Sequence, residues 1–339
     1  MIINENDMAR PRSQKVIEVK EKLIRRIEYG YYLPGSRFLS NRALGLRFNI
    51  SYQTADTLVR ELVAEGYLTR KPGSGTFLRG ETPQWRGVEL IFNERARVKD
   101  SFGALLLARL KDGFEKAGIQ ARIRWGGSVN RVGTSSFPIF WECLEAQELI
   151  RQAERYCLLI NQAPPKGLSA VYCDAVSVDD RSGGIAAGEL VRAVAWDAAV
   201  MILGGPRADQ RCLDRVHGFQ EVIPRAEIYF ADSWFYDDGL LAAGPLLEKK
   251  PDVVFCANDR LAQALLDAAG EDGRPAGLRV IGFDDAPVAE QLDLTTISIP
   301  WDELAKNVVE VAQKRISGDT STAITRILAP RPVVRGSLS

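Results

Sequence analysis

Histidine is almost absent from this chain: His217 is the single one in 339 residues. That excludes a multi-histidine metal centre and a helix-borne HExxH pair, and with them the common forms of zinc hydrolysis. Cysteine is sparse too. Cys143, Cys157, Cys173, Cys212 and Cys256 are odd in number, widely spaced and set mostly within apolar runs, with no CxxC among them. They read as reduced core thiols, which excludes a disulfide framework and places the protein in a reducing compartment. The first ten residues lack an apolar signal region, and no run of about 18 apolar residues occurs, so neither secretion nor membrane insertion is expected. The chain reads as cytoplasmic, without metal or cofactor.

Net charge is also missing, with 44 Lys plus Arg balancing 44 Asp plus Glu. The balance is a sum of unequal parts. Residues 1–80 hold 14 basic and 8 acidic side chains, and residues 81–339 hold 30 and 36, giving +6 and −6. The front of the chain is suited to an anionic partner and the remainder is not.

Within that basic front, Val16, Ile17, Val19, Leu23, Ile24 and Ile27 recur at three- and four-residue steps from Ser13 to Tyr29, the pattern of an amphipathic helix. Gly30, Pro34 and Gly35 end it. Ser40 then stands as the N-cap of a short helix carrying Ala43, Leu44 and Phe48, and Ser51 as the N-cap of a third carrying Ala55, Leu58, Val59, Leu62 and Val63 and stopping near Gly66. Two short helices joined by a tight turn form a helix-turn-helix outline. Tyr67 to Arg70 and Thr76 to Arg79 are β-like strips around Lys71-Pro72-Gly73-Ser74-Gly75, a hairpin with a basic, glycine-rich tip. Such a wing can lay backbone N–H groups and cations along phosphates. The third helix offers Ser51, Tyr52, Gln53 and Thr54 to base edges, Gln53 with the bidentate geometry that suits adenine.

Residues 13–79 resemble the GntR family of winged-helix transcription regulators. The resemblance rests on the run from Tyr32 to Gly45, on Ile50-Ser51-Tyr52-Gln53-Thr54, on Leu62 to Leu68 and on Gly73-Ser74-Gly75-Thr76-Phe77. It implies that Arg42 and the wing glycines near Gly75 meet DNA. Two departures stand out: Tyr52 replaces the usual arginine, and Asp56 replaces a residue that is often basic. Asp56 would repel phosphate unless it pairs with Arg60 one turn on.

Residues 80–85, Gly-Glu-Thr-Pro-Gln-Trp, are polar and read as a linker. After it come alternating strand and helix patterns: strands at 88–92, 119–125, 156–160, 198–203, 227–231, 253–257 and 278–283, with helices at 102–117, 141–153, 182–194, 209–222, 237–249 and 259–269. This order predicts parallel α/β sheets, and some 250 residues of it predict two lobes. The division expected is a winged helix over 1–79, a linker over 80–85 and a two-lobed sensor over 86–339.

In parallel sheets ligands sit beyond the carboxyl ends of the strands. The strand 253–257 runs into Asn258 and the strand 278–283 into Asp284, so adjacent units would bring both to one cleft edge. Arg215, on the helix after Gly204-Gly205-Pro206, and Trp234, after the strand ending at Ala231, complete the set. An amide, a carboxylate, a guanidinium and an indole face suit a polyhydroxylated ligand. Each has a plainer reading: an ion pair for Arg215, core packing for Trp234, a helix cap for Asn258. Asp259 and Asp285 orient neighbours, and Asp179-Asp180 and Asp237-Asp238 are helix-start acids facing the dipole.

These stretches resemble the effector domain of LacI/GalR regulators, itself similar to periplasmic sugar-binding proteins. Val178 to Gly184, Arg215-Val216-His217-Gly218-Phe219, Cys256 to Ala262, Val280 to Asp285, Leu294 to Ile297 and Pro332 to Ser337 carry it. The resemblance implies that Arg215, Asn258 and Asp284 hold an effector on which Trp234 stacks. The DNA-binding headpiece and hinge helix of that family are missing. The expectation is a dimeric, sugar-sensing repressor that binds operator DNA and no membrane. The rival from another class, a sugar-modifying enzyme with an accessory helical domain, lacks a nucleophile–base or metal constellation.

Overall fold

The computed structural model describes residues 14–28, 31–32, 35–79, 85, 87–128, 136–143, 156–162, 173–195, 197–270, 277–319 and 323–338. All of the expected linker except Trp85, and all of the expected helix 141–153 beyond residue 143, lie outside them. Among the described residues no helix is long and apolar enough to cross a membrane. The five cysteines are buried thiols, none of them in a disulfide.

The first unit holds α1 (Gln14–Glu28), α2 (Asn41–Phe48), α3 (Tyr52–Ala64) and the antiparallel hairpin β1 (Leu68–Lys71) and β2 (Gly75–Leu78). Both expected caps form. Ser40 Oγ accepts from the Ala43 N–H at 3.2 Å and Ser51 Oγ from the Thr54 N–H at 3.1 Å, satisfying amide donors that a helix start leaves open. Between the two helices Asn49 takes a left-handed φ of 49°, a conformation asparagine tolerates, and its N–H returns to the Gly45 carbonyl. Val19, Leu23, Leu44, Leu58, Val59 and Leu62 close a small core.

Two six-stranded sheets follow. The first holds, in spatial order, β13 (Thr325–Leu328), β7 (Cys173–Val178), β6 (Cys157–Ile160), β5 (Phe137–Trp141), β3 (Val88–Phe92) and β4 (Ala121–Trp125), all parallel. The second holds β14 (Arg331–Val333), β12 (Thr295–Ser298), β11 (Arg279–Asp284), β10 (Val253–Cys256), β8 (Val200–Gly204) and β9 (Glu227–Phe230), parallel except for β14. Their helices are α4 (Phe102–Lys116), α5 (Asp180–Ala195), α6 (Gln210–Val222), α7 (Tyr236–Leu247), α8 (Asp259–Ala268), α9 (Pro287–Gln291) and α10 (Trp301–Ile316). Each sheet with its helices is a lobe. The chain crosses between lobes after β7, after β12 and after β13, so three short crossovers define the hinge.

One expectation fails here. Trp141 does not open a helix: it ends strand β5, which lies between β3 and β6. Pro138 argues against a central strand because it donates no ladder hydrogen bond. The aromatic and β-branched run Phe137-Pro138-Ile139-Phe140-Trp141 is nevertheless fully buried, and burial outweighs the lost bond. Strand β7 was likewise hidden in a segment whose polar Asp174 and Ser177 mask its apolar character.

Among the described residues, a stacked ring pair joins the two units. Tyr31, wholly buried in the first unit, lies 6.4 Å from the Tyr156 ring at an interplanar angle of 28°. Behind Tyr156 the Arg315 guanidinium sits 5.3 Å from its centroid, held by two hydrogen bonds of 2.7 and 2.8 Å to the buried carboxylate of Asp174.

Candidate functional sites

On the winged unit the start of α3 faces solvent: Ser51, Tyr52 and Gln53 are exposed, and Tyr52 keeps 64% of its surface. Thr54 is half-buried, and its hydroxyl lies 2.8 Å from the Ser51 hydroxyl, so those two oxygens serve the cap while Tyr52 and Gln53 project. Arg42 on α2 is exposed. At the wing tip Lys71, Gly73 and Ser74 are exposed, and Gly73 and Gly75 hold φ of 72° and 118°, values that side chains with a Cβ rarely adopt. Lys71 Nζ lies 4.9 Å over the Phe77 ring, which steadies the cation without removing it from solvent.

Asp56 is the centre of this surface. It pairs with Arg60 one turn on, as the i,i+4 spacing predicts, and also accepts from Arg70 on β1 at 2.5 Å and from the Asn41 amide on α2 at 2.9 Å. The Arg70, Arg60 and Asn41 hydrogen bonds pull its carboxyl down to about 2. Asp56 therefore fastens α2, α3 and the wing to one another.

Between the lobes lies a cleft of about 620 Å³, its open mouth included. Arg215, Trp234, Asn258 and Asp284 all line it. Strands β10 and β11 are parallel neighbours, which is why Asn258 and Asp284, just after one and at the end of the other, meet at one edge. Arg215 is placed by an unusually close helix pair. A Cβ at Gly184 on α5 would come within 2.1 Å of the Arg215 carbonyl oxygen, and one at Gly218 on α6 within 2.1 Å of that of Arg181. Only glycine at both positions lets the helices approach so far.

The Arg215 side chain is 3% exposed. Nε donates to Asp180 at 2.7 Å, and Nη1 donates to the Ala257 carbonyl at 2.7 Å and to Asp284 at 2.9 Å, while the guanidinium stacks 3.8 Å from the Phe283 ring centroid. The ion-pair reading of Arg215 is thus realised within the cleft wall itself. Asp180, expected to face only the helix dipole, is corrected to a buried partner of this arginine. Burial raises the Asp180 carboxyl, against the pull of Arg215. Burial likewise pushes Asp284 up to about 6 in spite of the same guanidinium. Asp284 also holds φ of 107° and Asp285 φ of 55°, two consecutive strained residues of the kind that cluster at functional sites.

Asn258 caps α8, its carbonyl oxygen accepting from the Leu261 N–H at 2.8 Å and its amide donating to the Trp234 carbonyl at 3.1 Å. Trp234 donates Nε1–H to Asp209 at 2.8 Å. Asp259 and Asp285 orient neighbours as expected. Asp259, buried and raised well above the ordinary carboxylate range chiefly by desolvation, accepts from Thr296 at 2.6 Å and the Ala286 N–H at 2.7 Å, and Asp285 pairs with Arg335 at 2.8 Å. His217 is exposed on α6 and outside the cleft lining.

The opposite wall was not anticipated. Arg95, Phe102, Trp141 and Glu142 of the first lobe, with Trp301 at the start of α10 and Arg211 on α6, also line the cleft. Of these, Arg211 alone had a sequence signal, standing one helical turn before Arg215.

Comparison with known proteins matches both units. Residues 15–78 fit the model described as bacterial regulatory proteins, gntR family, and residues 198–338 that of a periplasmic binding protein-like domain. The chain joins a gntR-family segment to a periplasmic-binding-protein-like domain. Among curated relatives, the HTH-type transcriptional regulator CelR of Thermobifida fusca is 26% identical over 185 residues, 51% of this chain and 54% of that protein. The ribose operon repressor of Haemophilus influenzae is 30% identical over 137 residues, 37% and 41% respectively. The chain thus spans about half the length or less of the curated relatives it matches. Among solved structures, a CelR–cellobiose complex superposes with a TM-score of 0.62 at 18% identity, over 97% of this chain and all of that one. A LacI-family regulator from Enterococcus faecium with bound ribose gives 0.63 at 19%, over 74% and 98%. At these identities the structures show a shared fold.

Proposed function

We propose that this protein is a transcription regulator, a repressor, whose winged helix binds operator DNA and whose interlobe cleft senses a sugar or a related small polar molecule. The observation that carries the reading is one chain holding both a gntR-type winged helix and, between the lobes of a periplasmic-binding-protein-like sensor, a cleft with a strained, half-committed carboxylate at Asp284. The division assigned is 1–79 for the winged helix, 80–85 for the linker and 86–339 for the sensor. Arg42, Ser51, Tyr52, Gln53, Thr54, Lys71, Gly73, Ser74 and Gly75 form the DNA surface, the first helix turn of α3 reading bases and the wing following phosphates. Arg215, Trp234, Asn258 and Asp284 form one wall of the effector site, Trp234 offering a ring face and Asp284 an acceptor for vicinal hydroxyls.

Two copies are expected to act together, because one winged helix covers too few bases for useful discrimination and a symmetric pair doubles them. Effector and DNA then oppose each other through a coupling free energy: whatever factor the effector takes from operator affinity, operator takes from effector affinity. Similarity to regulators supports a non-enzymatic role. The test is a gel-shift assay with the DNA upstream of the protein's own coding sequence, combined with a thermal-shift screen of sugars. Specific, strongly salt-dependent retention that a stabilising sugar weakens is the expected result. Turnover of that sugar, or retention no stronger than for random DNA, refutes the reading.

A further inference from the structure

Glu142 follows strand β5 with φ of 53°, a left-handed value uncommon for a residue with a side chain. Both its backbone groups are tied down: the N–H donates to the Gln162 side-chain oxygen at 3.0 Å, and the carbonyl accepts from the Asn93 amide at 3.1 Å. The backbone therefore aims one carboxylate, 11% exposed, across the cleft. That carboxylate forms ion pairs with Arg95 of its own lobe and with Arg211 of the other. Arg211 in turn holds Asp209 through Nε at 3.0 Å and Nη2 at 2.5 Å, and Asp209 receives the Trp234 indole N–H. A continuous ionic chain thus runs from one lobe to the aromatic wall of the other.

We propose that Glu142, clamped between Arg95 and Arg211, makes this cleft select uncharged, hydroxyl-bearing effectors and reject anionic ones. The inference deepens the proposed sensing role and rests on it. Its physical basis is occupancy. Four guanidiniums line the cleft: Arg95, Arg211 and Arg215 are each paired with carboxylates, drawn from Glu142, Asp209, Asp180 and Asp284, while Arg260, half-buried, donates to the Lys99 carbonyl. A phosphate or carboxylate seated beside Glu142, between Arg95 and Arg211, would meet no guanidinium without a carboxylate partner. It would have to displace Glu142 and leave that carboxylate buried without a partner, which is strongly unfavourable. A hydroxyl meets no such barrier, since each carboxylate keeps lone pairs that can accept from it. Trp141 adds the complementary group: its buried indole N–H makes no hydrogen bond among the described residues, and the residue lines the cleft, so it is a donor suited to a neutral oxygen.

The experiment titrates the full chain and its Glu142→Gln and Glu142→Ser variants with glucose, cellobiose, glucuronate and inorganic phosphate, following tryptophan fluorescence and melting temperature. Wild type should ignore phosphate and glucuronate. Both variants, with Arg95 released and Arg211 left to Asp209 alone, should bind phosphate at least about tenfold more tightly than wild type, a change of about 1.4 kcal/mol. Glu142→Asp, which keeps the charge, should retain the exclusion. Wild type binding either anion as tightly as the folded variants do, or variants with no gain, overturns the clamp. The phosphate comparison needs no native effector: if it behaves as stated while neither sugar binds, the clamp stands and the assignment of these sugars falls.

Discussion

Replacing Arg215 with alanine is the sharpest test of how the cleft is built, because its effect on stability and its effect on ligand binding separate. The guanidinium is the shared partner of Asp180 and Asp284, and both carboxylates lie in the wall at 5% and 13% exposure. Removing one member of a buried ion pair leaves an uncompensated charge, at a cost of about 3–5 kcal/mol. The loss of stacking on Phe283 and of the bond to the Ala257 carbonyl adds to it. A change of 1 kcal/mol moves the melting temperature by about 2–4 °C in a unit of 150–250 residues. Arg215→Ala should therefore melt about 6–20 °C below wild type. Asp284→Asn, which keeps the Arg215–Asp180 pair, should lose much less.

The pH dependence identifies the cause. Without the guanidinium, burial alone governs Asp180 and Asp284, so their folded-state pKa values rise further above the unfolded carboxylate value of about 3.9. A raised folded pKa means that the native state binds more protons, so stability falls as pH rises from that unfolded value through the folded one. The deficit of Arg215→Ala should thus be smaller at pH ~5 than at pH ~8, as read by urea unfolding of variant and wild type at both. A deficit below about 1 kcal/mol, or one equal at both pH values, would refute the buried-pair account. The same reasoning makes Asp284→Asn the better probe of effector contact: a ligand response lost in Arg215→Ala has two causes, and one lost in a well-folded Asp284→Asn has one.

Three further outcomes are expected. Effector affinity in wild type should weaken as pH falls through about 6, because Asp284 then gains a proton and becomes a weaker acceptor for ligand hydroxyls; a calorimetric Kd constant from pH ~7.5 to ~5 contradicts this. Asp56→Asn should release Arg60 and Arg70 toward phosphate, tightening DNA binding without sequence preference and steepening the log Kd against log salt slope by about 1–2, and an unchanged or shallower slope rules the hub out as a sink for those cations. Tyr156→Ala should remove the ring between Tyr31 and Arg315, leaving effector and DNA affinities measured separately near wild type while their mutual effect shrinks toward unity; Tyr156→Phe should retain it, and full coupling in the alanine variant excludes this contact as the link.

What could be read from the sequence follows from how local each signal is. Ser40 and Ser51 were legible as caps because a cap is a contact three residues long, and Asp56–Arg60 because it spans one helical turn. Asn258 and Asp284 were legible because a parallel sheet puts strand ends on one edge whatever the rest of the chain does. The facing wall has no such rule. Glu142 meets Arg211 only because two separately wound sheets are hinged together, and Pro138 disguised the strand that delivers it. Asp180 was legible as a helix-start acid but not as the partner of Arg215, because that pairing depends on the glycine-enabled approach of α5 to α6. The hidden contacts are the ones that join parts of the fold. Helix α10 starts at Trp301, whose indole N–H donates to the Asp284 carbonyl at 2.9 Å in the cleft, and carries Arg315 in its last turn, beneath Tyr156. A helix of 16 residues is about 24 Å of stiff backbone, so it spans directly from the cleft edge at Trp301 to the Tyr156–Tyr31 contact with the first unit.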